Sequence, residues 1–299
     1  MDKSAIFRMT GISKHFPGIR ALDGVDFEVR PGEVHALIGE NGAGKSTLVK
    51  LMTGVHQPTA GEMFFRDQKV EFRSPQDSQS VGIAAIHQEA IMFPELSITE
   101  NVFLGHPIRK GRFGLLDWPE MHRRTQELME TLELSLDPKR TILSLSTAER
   151  HMVEILKALS HSAEIVIMDE PTSALSLKEV EELYTIIRRL RDDGKAIVFI
   201  SHKFDEIRAI ADTFTVLRDG KYIDSGSLSD HGDDDIVRMM VGRSLDQLFP
   251  KSEAAIGEPL LRAESLSQVG TFQNVSFTLH KGEILGFFGL IGAGRSEVM

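Results

Sequence analysis

Residues Gly39-Glu40-Asn41-Gly42-Ala43-Gly44-Lys45-Ser46-Thr47 fill every position of a Gly-x-x-x-x-Gly-Lys-Ser/Thr pattern. The apolar run 34–38 precedes it and the helix-forming stretch 46–52 follows. Strand, glycine loop and helix in that order form the context in which the pattern cradles phosphate. Its glycines let backbone N–H groups approach phosphate oxygens, and the helix behind presents its positive N-terminus. Lys45 would supply a point charge to the β- and γ-phosphates, and the Ser46 hydroxyl is placed to ligate magnesium.

The pattern returns 250 residues later as Gly289-Leu290-Ile291-Gly292-Ala293-Gly294-Arg295-Ser296, with arginine in place of lysine. Residues 21–49 align with 271–299 without a gap, pairing Val25 with Val275, Phe27 with Phe277, Gly32 with Gly282 and Glu33 with Glu283 ahead of the loops. A coincidental glycine-rich turn is the competing reading, but chance rarely reproduces an alternating strand and a Gly-Glu turn as well. The pattern reads as internal duplication of one domain. The sequence stops at Met299 inside the helix expected after the second loop, so an imposed boundary is expected, with a natural fragment as the alternative. Residues after about 259 are accordingly expected to be poorly ordered.

At 299 residues, one domain over 1–248 with a helical part near 95–160, a linker over 249–259 and the start of a second domain over 260–299 are expected. The linker composition is carried by Phe249-Pro250-Lys251-Ser252 and Gly257-Glu258-Pro259. A net charge of −10 argues against broad nucleic-acid binding, which uses a basic surface. The absence of cysteine excludes disulfides and thiolate metal sites, and suits a reducing compartment. No apolar run approaches the roughly 18–20 residues that span a bilayer, so any membrane part is expected in another chain.

Val25, Phe27 and Val29 alternate with charged residues, as in a half-buried strand. Asp117 is expected to cap a helix, with Pro119 in its first turn and Leu128, Met129, Leu132 and Leu134 on its apolar face. A buried strand at 164–168, a helix at 178–191 and an apolar strand at 196–200 follow. Strands alternating with helices imply an α/β fold with a parallel sheet covered on both faces. Asp233-Asp234-Asp235 reads as a solvated helix start.

Asp169-Glu170 closes the strand at 164–168, and ligands bind at the carboxyl ends of strands in such sheets. Beside a phosphate loop, Asp169 would hold the magnesium shell and Glu170 would accept a proton from attacking water. Alone, the pair would read as surface carboxylates after a core strand.

Together with Gln88 after the strand near 82–87, Pro171-Thr172-Ser173, and Ile200-Ser201-His202, these motifs resemble the nucleotide-binding domain of ATP-binding-cassette (ABC) proteins over residues 5 to about 245. The resemblance implies an ABC-type P-loop domain, a RecA-like core with an antiparallel β subdomain and a helical subdomain. It implies ATP and Mg2+ as cofactors, Gln88 touching magnesium and water, and His202 near the γ-phosphate. Phe16 matches the position that stacks on adenine. In isolation, Phe16 and His202 would read as core residues.

The chain departs from the family where its Leu-Ser-Gly-Gly-Gln signature should stand. Leu145-Ser146-Thr147-Ala148-Glu149 occupies that place, with a helix expected over 150–159. Both glycines are lost, so side chains stand where backbone should approach a phosphate from across a dimer. Ser176 replaces the aspartate expected after Ser173-Ala174-Leu175. The family's cassettes close head to tail, so the first signature faces the second phosphate loop. Thr147-Ala148 and Arg295 therefore fall in one weakened composite site, opposite a hydrolytic site carrying Lys45, Ser46, Gln88, Asp169, Glu170 and His202.

Tandem cassettes, an altered second loop, a degenerate first signature, Phe16-Pro17-Gly18 and Ser97-Ile98-Thr99-Glu100-Asn101 together resemble the ATPase subunits of bacterial monosaccharide importers, the type serving ribose, galactose, xylose, rhamnose or polyols. This implies integral membrane permease subunits, a periplasmic sugar-binding protein and a second cassette (from the same parent chain or a second copy) as partners. It places the chain peripherally at the cytoplasmic face of the inner membrane. Residues 89–110, with Ile91, Met92, Phe93 and Leu96, would receive a permease coupling helix, although their pattern fits subdomain core equally well. A soluble tandem cassette acting on ribosomes or nucleic acid is the alternative. It normally keeps the glycine signature and a long charged linker, and neither is present here.

Overall fold

The computed structural model describes residues 4–86, 92–173, 175–242, 255–289 and 293–299. Gln88, Ile91, Ala174, Leu290, Ile291, Gly292 and most of the 249–259 stretch lie outside them. The chain divides into two units, Met1–Leu245 and Asp246–Met299.

In the first unit, β1 (Phe7–Phe16), β2 (Ile19–Val29), β4 (Ala60–Phe65) and β5 (Gln68–Val70) make an antiparallel sheet in the order β2-β1-β4-β5. Phe16 pairs with Ile19 across the Pro17-Gly18 turn, where Gly18 has φ +78°. Proline presets the first turn dihedral and glycine accepts the left-handed second one. Val25, Phe27 and Val29 are buried, as their alternation predicts.

Among the described residues the second sheet has six strands: β3 (Glu33–Ile38), β6 (Ile83–Ile86), β9 (Ile165–Asp169), β10 (Ala196–Ile200), β11 (Thr213–Arg218) and β12 (Lys221–Ser227). Their order is β12-β11-β3-β10-β9-β6. Every neighbouring pair is parallel except β11 with β12. Side chains of β9 and β10 divide between two cores with the strand period of two. Ile165, Ile167, Val198 and Ile200 pack with the antiparallel sheet and helix α1 (Lys45–Met52). Val166, Met168, Ile197 and Phe199 face the helices on the other side. Burying one such side chain contributes about 1.5–3 kcal/mol, and these strands are buried on both faces.

Among the described residues, five further helices follow α1 up to the end of β10: α2 (Pro75–Ser80), α3 (Ile98–Val102), α4 (Trp118–Thr131), α5 (Thr147–Ser160) and α6 (Leu177–Asp192). The region expected to be mostly helical also holds a small hairpin of β7 (Arg109–Lys110) and β8 (Leu115–Leu116). Asp117 caps α4 through its bond from the Glu120 N–H at 3.4 Å. The buried face of α4 runs Met121, Thr125 and Met129, with Leu132 just beyond; Leu128 and Leu134 are only partly buried. Helix α6 matches its expected span to within a residue at each end.

Helix α5 starts three residues before the expected position. Ser146 is its N-cap: the Ser146 hydroxyl accepts from the Glu149 N–H at 3.2 Å, and the Glu149 carboxylate accepts from the Ser146 N–H at 2.7 Å. This reciprocal box satisfies two helix-end donors at once and draws Thr147 and Ala148 into the first turn. After β10 come α7 (Phe204–Ile210) and α8 (Asp233–Val241). The three aspartates form the first turn of α8, where negative charge suits the helix dipole.

In the second unit, β13 (Pro259–Gln268) and β14 (Phe272–His280) form an antiparallel hairpin and α9 (Arg295–Val298) follows the second loop. Residues expected to be poorly ordered thus have a defined local pairing, although most of their side chains stay exposed. Local details repeat between the units. Glu33 accepts from the Arg30 N–H and Glu283 from the His280 N–H, each at 2.8 Å. Gly44 and Gly294 cap their helices in the left-handed conformation, at φ +105° and +83°. Among the described residues no helix is long and apolar enough to cross a membrane.

Candidate functional site

Strands β3 and β9 end on the same edge of the parallel sheet with β10 between them. The loop after β3 carries Gly39 to Gly44, and Lys45 opens α1. The turn after β9 carries Glu170, and the segment after β10 carries His202. Asn41, Gly42, Gly44, Lys45, Ser46, Thr47, Asp169 and Glu170 line one open cleft of about 390 Å3. Glycine at 44 has a steric reason: a Cβ there would stand 2.6 Å from Leu22 Cδ2 and 2.9 Å from the Ala21 carbonyl oxygen. At Gly39 a Cβ would collide with the Leu217 carbonyl and sit 2.9 Å from Ala43 Cβ, so Ala43 packs directly on the backbone it follows.

Lys45 Nζ donates to the carbonyls of Gly39 at 2.6 Å and Glu40 at 3.0 Å. Burial lowers its pKa, while the charges of Glu170 and Asp169 oppose that shift. The ammonium is held on its own loop, under the charges of Asp169 at the end of β9 and Glu170 in the turn after it.

Glu170 has φ +49°, a left-handed conformation rare for a residue with a Cβ. Its N–H bonds the Ile200 carbonyl at 2.9 Å, and Ile200 is the register partner of Asp169. His202 Nδ1 lies 3.0 Å from Glu170 Oε1, so the tautomer protonated on Nδ1 donates to the carboxylate. The His202 side chain is exposed, so its other ring nitrogen can reach a ligand.

Phe16 does not line this cleft. It is half-buried, edge-on to His56 with ring centroids 5.2 Å apart and under Lys14 Nζ at 5.1 Å. Gln88, the remaining expected ligand, lies outside the described residues. In the expected docking region Met92 packs on the core while Phe93 is exposed.

Two groups at the site were not anticipated. The Asp219-Gly220 turn between β11 and β12 backs the phosphate loop, with the Gly220 N–H bonding the Ala43 carbonyl at 3.2 Å. The Asp-Gly pair between two apolar runs is a hairpin signal that could have located it. The other is Glu206, buried on α7 and bonded to Thr172, Ser201 and Lys203. Its place four residues after His202 put it within one helical turn, but spacing alone does not show which loop it meets.

Residues 22–173 match the family model described as ABC transporter. The chain is 52% identical over 293 residues to a ribose import ATP-binding protein of Agrobacterium fabrum, covering 98% of this chain and 57% of that protein. It is 50% identical over 293 residues to a putative ribose/galactose/methyl galactoside import ATP-binding protein of Hahella chejuensis, again covering 98% and 57%. The chain thus spans little more than half the length of these relatives. Among solved structures, a nucleotide-free ATP-binding cassette from an ABC transporter aligns with TM-score 0.69 and 25% identity, covering 80% of this chain and all of that one. The ADP conformation of another ABC transporter cassette aligns with TM-score 0.68 and 26% identity, covering 78% of this chain and 94% of that one.

Proposed function

Since this chain belongs to the ABC transporter family, we propose that it binds and hydrolyses ATP and thereby energises import of a monosaccharide or related polyol through membrane permease subunits. The observation that carries this reading is the meeting of Lys45, Ser46, Asp169 and Glu170 in one cleft, with His202 against Glu170. The names of the similar import proteins support the substrate class, with ribose foremost.

The loop N–H groups and Lys45 bind the triphosphate, Lys45 exchanging its two backbone carbonyls for phosphate oxygens. Glu170 accepts the proton of the attacking water, and His202 holds the Glu170 carboxylate and reaches toward the γ-phosphate. Ser46 and Asp169 offer the hydroxyl and carboxylate oxygens that a hard cation such as Mg2+ prefers, with Gln88 as the further ligand. Bound Mg2+ would neutralise charge on the β- and γ-phosphates. Phe16 would stack on the adenine.

A second cassette closes the site by supplying a signature in trans. Thr147-Ala148 stand where the family signature would, and α5 begins there with side chains in place of glycine. The partners are integral permease subunits and, through them, a periplasmic sugar-binding protein, at the cytoplasmic face of the inner membrane.

Calorimetric titration with MgATP, together with co-purification from membranes in the full-length protein, tests the reading. Binding by the unaltered protein, its loss in Lys45→Ala, and recovery with an integral permease are the expected results. Association with ribosomes instead of a permease would overturn the import assignment.

A further inference from the structure

Glu206 lies in the first turn of α7 with its side chain 10% exposed. Its Oε1 accepts from Thr172 Oγ1 at 2.7 Å and Lys203 Nζ at 2.8 Å. Its Oε2 accepts from Thr172 Oγ1 and Ser201 Oγ, both at 2.7 Å. Thr172 and Ser201 are themselves buried. Burial pushes the Glu206 carboxyl up, but bonds from Lys203, Thr172 and Ser201 outweigh it and hold the group below its ordinary range, hence charged.

The positions of these donors matter more than their number. Thr172 comes two residues after Glu170, while Ser201 and Lys203 flank His202. One buried carboxylate therefore ties the turn after β9 to the segment after β10. The tie closes a ring whose other links are the Glu170 N–H to the Ile200 carbonyl and His202 to Glu170. Glu170 keeps its φ of +49° inside this ring. A strained backbone persists only where its surroundings over-determine it.

We propose that Glu206 is the positioning residue that sets Glu170 and His202 relative to each other, acting on turnover and leaving ATP binding to the phosphate loop. The inference rests on the ATPase reading above. The Glu206 carboxylate is buried with both oxygens bonded to Thr172, Ser201 and Lys203, so its effect passes through those residues.

Glu206→Gln keeps the shape but turns an acceptor into a donor facing donors, which a buried network tolerates poorly. In the full-length protein it is expected to lower kcat roughly tenfold to a hundredfold, with ATP affinity changed by less than about threefold. His202→Ala combined with Glu206→Gln is expected to turn over no more slowly than His202→Ala alone, because both act through one arrangement. A purely structural tie would give multiplying losses or a fall in ATP affinity, and either result overturns the proposal, as does an unchanged kcat. Should Glu206→Gln fail to fold, Ser201→Ala removes one Glu206 tie, together with the Lys203 N–H bond to Ser201 Oγ, and carries the same comparison. Absence of ATP binding and turnover in the unaltered protein would instead overturn the ATPase reading, and this inference with it.

Discussion

His202 Nδ1 and Glu170 Oε1 stand 3.0 Å apart although 32 residues separate them in the chain. The contact exists because β10 lies beside β9 in the parallel sheet, with Ile200 in register with Asp169. It places an imidazole after the end of one strand against the carboxylate after the end of its neighbour.

Glu170→Gln removes the proton acceptor while keeping the hydrogen-bonding shape. ATPase activity of the full-length protein is expected to fall by about 2.7–4 kcal/mol in the barrier, or 100-fold to 1,000-fold. ATP binding should survive. Steady-state turnover beside equilibrium titration checks both, and retention of most activity would remove Glu170 from its role.

Gly44→Ala forces a Cβ toward the Leu22 side chain and Ala21 carbonyl at a backbone φ of +105°. The expected loss of stability is about 1–3 kcal/mol, from left-handed strain and overpacking together. Urea denaturation of the two proteins measures it. An equal midpoint and slope would mean that the loop relaxes without cost.

Ser146→Ala breaks the box that starts α5, leaving the Glu149 N–H without its hydroxyl partner. A loss of about 0.5–2 kcal/mol is expected. Ser146→Asp, which retains a capping oxygen, should recover most of it in the same thermal melts.

Burial raises the Glu154 carboxyl to about 7, against a smaller opposing influence from Lys157. Among the described residues, Glu154 Oε2 has no hydrogen-bond partner. A carboxyl raised on folding binds more protons folded than unfolded, so its stabilising contribution is full below the ordinary carboxylate range. That contribution is lost as pH rises toward about 7. Glu154→Gln should therefore gain stability over the unaltered protein between pH 5 and 8, by at most about 3 kcal/mol and less because the group is partly solvated. Paired urea curves across that range read the difference, and a pH-independent difference would contradict the burial argument.

Much of the site was legible before any fold was known. The loop from Gly39 to Thr47 requires a strand before it and a helix after it, and both are present. Alternation placed Val25, Phe27 and Val29 in the core, and the unbroken apolar run 196–200 became a strand buried on both faces. Helix α5 begins at Thr147 rather than at 150 because Ser146 caps it there. The Ser146 and Glu149 spacing was itself a capping signal that puts the helix start earlier. Phe16 is the opposite case: its place in the motif register, not its own pattern, points to a nucleotide base, and its half-buried ring meets His56 and Lys14.

Local chemistry was decided along the chain, since turn residues, caps and side-chain periods act between neighbours a few residues apart. Three alternating or apolar runs look alike whichever strand lies beside which, so no periodicity places β10 between β3 and β9. Packing chose that order, and the order brings Lys45, Glu170 and His202 to one edge. The same choice sets Glu206 between Thr172 and Ser201, where a buried carboxylate meets donors from two loops that the sequence keeps about 30 residues apart. The repeated phosphate loop announced phosphate chemistry by itself, whereas the arrangement that would perform hydrolysis depends on which strands the core made neighbours.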